Sequence, residues 1–160
     1  MKTLKRLIPA VLIILTFVTG HAQQDGPSSD KGMVAQTMKS YKDALENKTT
    51  AGTFALFSED SQVFEQGGVE GSYAHYIEHH LGPELGHFKS FDFSEYKIDV
   101  VVDLPYAFTT ETYIYTIVLR PDEKGESRTI RKKGVATSIL RKTDGDWKII
   151  KTHSSSRNKK

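Results

Sequence analysis

This sequence predicts an α+β domain, with three N-terminal helices packed on a strongly curved antiparallel sheet. Three observations lead there. Apolar residues in the first half recur at steps of three and four, the spacing of helices buried along one face. From Ser90 onward four long runs of β-forming residues take over, separated by short turn signals. Helices first and strands later place the helices on one side of an antiparallel sheet. Long strands twist and curl, so such a sheet with helices across its concave side makes a cone around a hollow.

The 160 residues suit one domain and are too few for two of full size. The absence of cysteine excludes a disulfide scaffold, a thiol nucleophile, a zinc finger and an iron–sulfur site. Residues 1–22 read as a secretory signal. Lys2, Lys5 and Arg6 precede an apolar run from Leu7 to Val18, and Gly20-His21-Ala22 offers small residues at the cleavage positions. The run is shorter than the roughly 20 residues that span a bilayer. Without this segment 19 basic side chains face 20 acidic ones, so no nucleic-acid partner is expected. The expectation is export to the periplasm or outside the cell, with no membrane contact after cleavage.

Residues 23–30 read as a flexible leader, with Asp30 as a cap. Met33, Val34, Thr37, Met38, Tyr41, Ala44 and Leu45 form one helical stripe, predicting a helix over Lys31–Glu46. Thr50 caps a short second helix, Ala51–Phe57, with Phe54 and Phe57 for burial. Ser61–Gln66 reads as a strand, Gly67-Gly68 as a tight turn and Val69–Gly71 as a short return strand. Ser72 caps a third helix, Tyr73–Leu81, interrupted by Gly82-Pro83, with one more turn over Glu84–Phe88. Strands follow over Phe91–Asp103, Tyr106–Leu119, Thr129–Arg141 and Trp147–Ser155. Leu104-Pro105, Asp122–Glu126 and Asp144-Gly145 divide them, and Asp-Gly between strands is a strong hairpin signal. Residues 157–160 read as a disordered tail.

The closing stretch Arg141-Lys142-Thr143-Asp144-Gly145-Asp146-Trp147-Lys148-Ile149-Ile150, then His153-Ser154-Ser155, resembles the final hairpin of SnoaL-like domains. Glu70-Gly71 with Ala74 is similar to that family's helix start, and Tyr106-Ala107-Phe108 to its next central strand. Over residues 31–156 the chain is identified as a member of the SnoaL-like branch of the NTF2-like (cystatin-fold, DUF4440-type) superfamily. The resemblance implies a cone-shaped pocket, frequent homodimers through the sheet, and functions ranging from cyclase, isomerase and dehydratase to ligand binding without catalysis. Fold alone does not choose among them.

Four histidines, His75, His79, His80 and His87, fall within thirteen residues, and His153 lies on the last strand. His75 and His79 are four apart, the spacing with which one helix face grips a metal ion. His153, Glu111 or Glu65 would complete such a set, and imidazole suits a divalent zinc, copper or nickel. The apolar stripe Tyr73, Tyr76, Ile77, His80 and Leu81 argues for the opposite helix face inward. The resemblance instead turns Ala74, His75, Glu78 and His79 toward the cone, and that placement is adopted. Alternation puts Trp147, Ile149, Lys151, His153 and Ser155 on one face of the last strand, and Glu111, Tyr113 and Tyr115 together on a central one. Glu111, among Thr and aromatic residues, needs a partner. Arg131 or Lys133 on the neighbouring strand is the plain one.

The expected function is binding of a small molecule in an aromatic cone, without cofactor, by His75, His79, Glu111, Tyr113, Trp147 and His153. Two alternatives stand beside it. One is a metal site at His75, His79 and His153. The other is cofactor-independent isomerase, cyclase or dehydratase chemistry, with His153 or His79 as base and Tyr113 or Tyr76 as donor.

Overall fold

The computed structural model describes Gly26 and residues 28–158. The expected signal sequence and half of the expected leader lie outside the described residues. Helix α1 spans Asp30–Glu46 and is capped by Ser29, whose hydroxyl accepts from the Gly32 amide. Asp30 is therefore not the cap. Its carboxylate accepts from Lys142 Nζ at 2.5 Å and Trp147 Nε1 at 3.0 Å, tying the start of α1 to the last hairpin. Those hydrogen bonds hold the Asp30 carboxyl below the usual range. The buried stripe of α1 is Val34, Met38, Lys42 and Leu45.

A single 3-10 turn, Thr53–Leu56, replaces the expected second helix. Gly52, at φ 76°, precedes it, and Phe54 stays exposed while Phe57 is buried. Strand β1 then runs Phe57–Glu65, starting four residues earlier than expected, and β2 is Gly68–Gly71. Ser72 caps the short helix α2, Tyr73–Tyr76. Helical winding continues through a π turn, Ile77–Leu81, into α3, Gly82–His87. Pro83 does not stop it. The wide turn brings the Ile77 carbonyl so close to Gly82 that a Cβ there would lie 2.4 Å from the oxygen.

The remaining strands are β3 (Phe88–Asp103), β4 (Tyr106–Leu119), β5 (Thr129–Thr143) and β6 (Asp146–Asn158). The sheet order is β2-β1-β6-β5-β4-β3. All pairs are antiparallel except β1 with β6, which is parallel. The long connection through the helices and hairpins makes that pairing possible, and short turns alone do not announce it. Arg157 and Asn158, expected in the tail, instead pair with Lys133 and Lys132.

Among the register irregularities of the sheet, one in β3 and one in β6 bear on the site. In β3 the register slips between Ser94 and Lys97, with Glu95 at φ 53°. In β6 it slips opposite Ile139 and Leu140: Ile149 pairs with Leu140 and Lys151 with Ile139, leaving Ile150 as a bulge. α1 packs against β3, and the core gathers Val34, Met38, Phe57, Tyr73, Leu85, Phe91, Leu140 and Ile149.

Candidate functional site

The hollow of the cone begins with side-chain size. Cross-strand pairing sets out two rows on the concave face. One runs Glu111, Ala136, Ser154, Glu65 across β4, β5, β6 and β1, and the next runs Tyr113, Gly134, Ser156. Small residues occupy the middle of both rows. At about 4.8 Å per strand the ends of the first row lie roughly 14 Å apart. The middle is thus left open, and large side chains from α1, α2, α3 and β3 roof it. A cavity of about 140 Å³ results, walled by Tyr41, Tyr76, Phe88, Phe91, Phe93, Tyr113 and Tyr115. That matches a dry cavity known to hold one benzene ring. The close fit of Tyr113 over Gly134, where a Cβ would stand 2.2 Å from the ring, keeps this wall in place.

At one end a charged pair is buried. Lys42 reaches from α1 to Glu111, its Nζ 3.4 Å from each carboxylate oxygen. Glu111 is fully buried and also accepts from the Tyr96 hydroxyl at 2.7 Å. The ammonium lies 5.1–5.6 Å from the ring centres of Tyr41, Phe93 and Tyr113, within cation–π reach. Lys42 lines the cavity, and among the described residues Glu111 is the one side chain that accepts from it. An ammonium has three N–H groups, so donor capacity is left over at the cavity wall.

The other end is a neck. Glu65 and Glu84 line both the inner cavity and the more open hollow outside it. Tyr76 donates to Glu65 at 2.6 Å. His80 donates to Glu70 at 3.0 Å and stands 3.5 Å from Glu84. The hydrogen bond to Glu70 raises the His80 pKa. Burial raises that of Glu84, with His80 opposing and Glu65 adding. Burial likewise pushes the Tyr76 and Tyr113 hydroxyls far above their usual range, so both remain protonated donors.

Several expected site residues lie elsewhere. His75 and His79 are exposed, and the apolar stripe, not the family placement, faces inward: Tyr73, Tyr76 and Leu81 are buried. The reason is area, since burying apolar surface is worth about 25 cal/mol per Å² and those rings carry more of it. His75 Nδ1 is engaged by the Glu70 carbonyl at 2.9 Å. His153 is also exposed, because the bulge at Ile150 reverses the alternation of β6 beyond it. Its ring borders a shallow hollow on the convex face with Phe64, Phe108 and Lys151, away from the helices. No three His, Asp or Glu side chains converge as a metal set among the described residues. The His75–His79–His153 site is therefore not assembled.

Trp147 is core and does not border the cavity; its indole serves Asp30. Glu111 sits behind the wall as the partner of Lys42. Arg131 and Lys133 are exposed, on the other face of β5 from its cross-strand neighbour Ala136, and cannot pair with it. Tyr113 alone of the six expected residues borders the cavity itself. Lys42 and Glu84 line the pocket without having been expected there, and Glu65, expected only as a possible metal ligand, lines it too; the signal for Lys42 was its position four residues after Met38 on the buried stripe.

The model of the SnoaL-like domain family matches residues 34–158. No curated protein matches the chain. Solved structures share the fold. An NTF2-like superfamily protein from Salmonella enterica is 18% identical, covering 81% of this chain and 92% of its own, with TM-score 0.68. A protein from Streptomyces avermitilis, proposed to be a dehydratase of the NTF2-like family, is 18% identical over 82% and 99%, with TM-score 0.69. A protein from Shewanella frigidimarina, proposed to be a ketosteroid isomerase, is 25% identical over 81% and 98%, with TM-score 0.64.

Proposed function

We propose that this chain, which belongs to the SnoaL-like domain family, binds a ring-sized organic molecule in its cone, with an oxygen acceptor of that molecule set against Lys42. One observation carries the reading: a buried ammonium with spare N–H groups on the wall of an aromatic cavity. Filling the cavity gains apolar contact, and an acceptor completes the ammonium's hydrogen bonding. 4-Ethylphenol supplies both and ethylbenzene only the first. Thermal unfolding should show stabilisation by 4-ethylphenol well beyond that by ethylbenzene. The double variant Lys42→Met/Glu111→Leu, which removes both charges together, should erase the difference. Equal stabilisation of the unaltered protein by both compounds would refute the anchoring role of Lys42.

A second reading rests on the 2.6 Å hydrogen bond between Tyr76 and Glu65 inside the same cavity. A carboxylate and a phenol side by side are the parts for moving a proton next to a carbonyl. The relatives proposed to be an isomerase and a dehydratase support that chemistry. Glu65, not a histidine, would be the base. Loss of turnover in Glu65→Gln, with ligand binding retained, would separate catalysis from binding.

Two further proposals concern setting. Residues 1–22 direct export, which N-terminal sequencing of the protein recovered from the periplasm or medium checks. Copies pair through the convex sheet face, where Val101, Phe108 and Val135 are exposed. Light scattering of Phe108→Lys against the parent tests that pairing.

A further inference from the structure

We infer that the ligand is an aryl-alkyl amine: its ring fills the cone, its acceptor oxygen meets Lys42, and its ammonium rests between Glu65 and Glu84 at the neck. The inference deepens the binding reading and depends on it.

Charge is the first ground. Inside, Lys42 and Glu111 cancel. At the neck Glu65 and Glu84 are the other charged side chains that line the inner cavity. His80, His87 and Lys132 border the outer hollow but not the inner cavity. With Lys42 balanced by Glu111, the inner cavity therefore carries excess negative charge at its mouth, and a ligand placing an anion there would be repelled.

Hydrogen bonding is the second ground. Glu65 accepts from Tyr76, leaving lone pairs free. Glu84 meets His80 at 3.5 Å, too long for a good hydrogen bond. Both carboxylates can accept from a guest's N–H groups. Burial and the nearby Glu65 already disfavour the ionised form of Glu84, a penalty that a cation would relieve.

The third ground is the surroundings. Tyr76, Phe88 and Tyr115 stand with the two carboxylates around the neck. Aromatic faces beside carboxylates favour an organic cation over a bare metal ion, and the described residues hold no metal set. The acidic pair does not stand alone, because the nine-tenths-buried Lys42 side chain marks the opposite end of the same cavity.

Four probes test this by calorimetry at neutral pH and low salt. Tyramine carries both ends, phenethylamine only the amine, 4-ethylphenol only the hydroxyl, and 4-hydroxyphenylpropionate replaces the amine with an acid. Tyramine should bind about tenfold tighter than 4-ethylphenol, equivalent to about 1.4 kcal/mol. The propionate should bind weakest. Glu84→Gln and Glu65→Gln should each bring the tyramine to 4-ethylphenol ratio toward one. Equal binding of tyramine and 4-ethylphenol would overturn the amine assignment while leaving the binding reading intact. Binding of phenethylamine without 4-ethylphenol would keep the amine end and overturn the Lys42 acceptor. Failure of all four to bind would overturn both.

Discussion

The two charged clusters of this molecule differ in what surrounds them. Lys42 and Glu111 meet between α1 and the sheet, almost wholly out of water, with the half-buried Tyr96 beside them. Glu70, His80 and Glu84 meet at the rim, partly in solvent, with side-chain exposures of 21%, 32% and 52%. The buried pair is costly to break because the remaining charge loses its opposite charge out of reach of water, whereas the rim is screened and re-solvated. Burial, more than the number of charges, therefore separates a structural anchor for the site from an adjustable entrance.

Breaking the buried pair on one side should give the largest effect. Lys42→Met leaves Glu111 uncompensated and should cost about 3 kcal/mol in urea unfolding. Lys42→Met/Glu111→Leu should recover most of that loss. A double variant no more stable than the single one would show that the pair does not behave as a buried unit. Next comes the wall beside it. Gly134→Ala places a methyl into the Tyr113 ring and should cost about 2 kcal/mol, pushing that ring into the cavity and weakening 4-ethylphenol binding.

The rim should respond mainly to pH. The His80 pKa is raised in the folded state by Glu70. Its contribution is then complete below the unfolded value near 6.5 and fades as pH rises through the higher folded value. His80→Gln should accordingly lower stability at pH 5.5 and make little difference at pH 9. The opposite pH order would mean that His80 is not held charged by its neighbours. Smallest of all, His75→Ala and His79→Ala should each change stability by less than about 0.5 kcal/mol and leave ligand affinity unaltered.

The same contrast explains which parts could be read from sequence. The α+β order, the three hairpin turns and the inward face of β4 with Glu111, Tyr113 and Tyr115 follow from local periodicity, and the structure has them. The pocket chemistry depends on longer-range facts. Lys42 looks like a solvated helical lysine until Glu111, distant in sequence, is found opposite it. His153 looks inward-facing until one extra residue, Ile150, is bulged out of the ladder. The parallel pairing of β1 with β6 brings Glu65 beside Ser154 and into the cavity, and no turn signal encodes it. On α2 and the following π turn the residues themselves were the better guide: the apolar stripe was right where the family placement was not.

Ala136 lies in the middle of the cavity floor, between Glu111 and Ser154. Calorimetry of 4-ethylphenol against the parent protein and Ala136→Leu addresses the site most directly. Binding with one-to-one stoichiometry to the parent, and its loss in a variant that remains folded, is the expected result. Undiminished binding to the folded variant would place the ligand outside the cone and contradict the account.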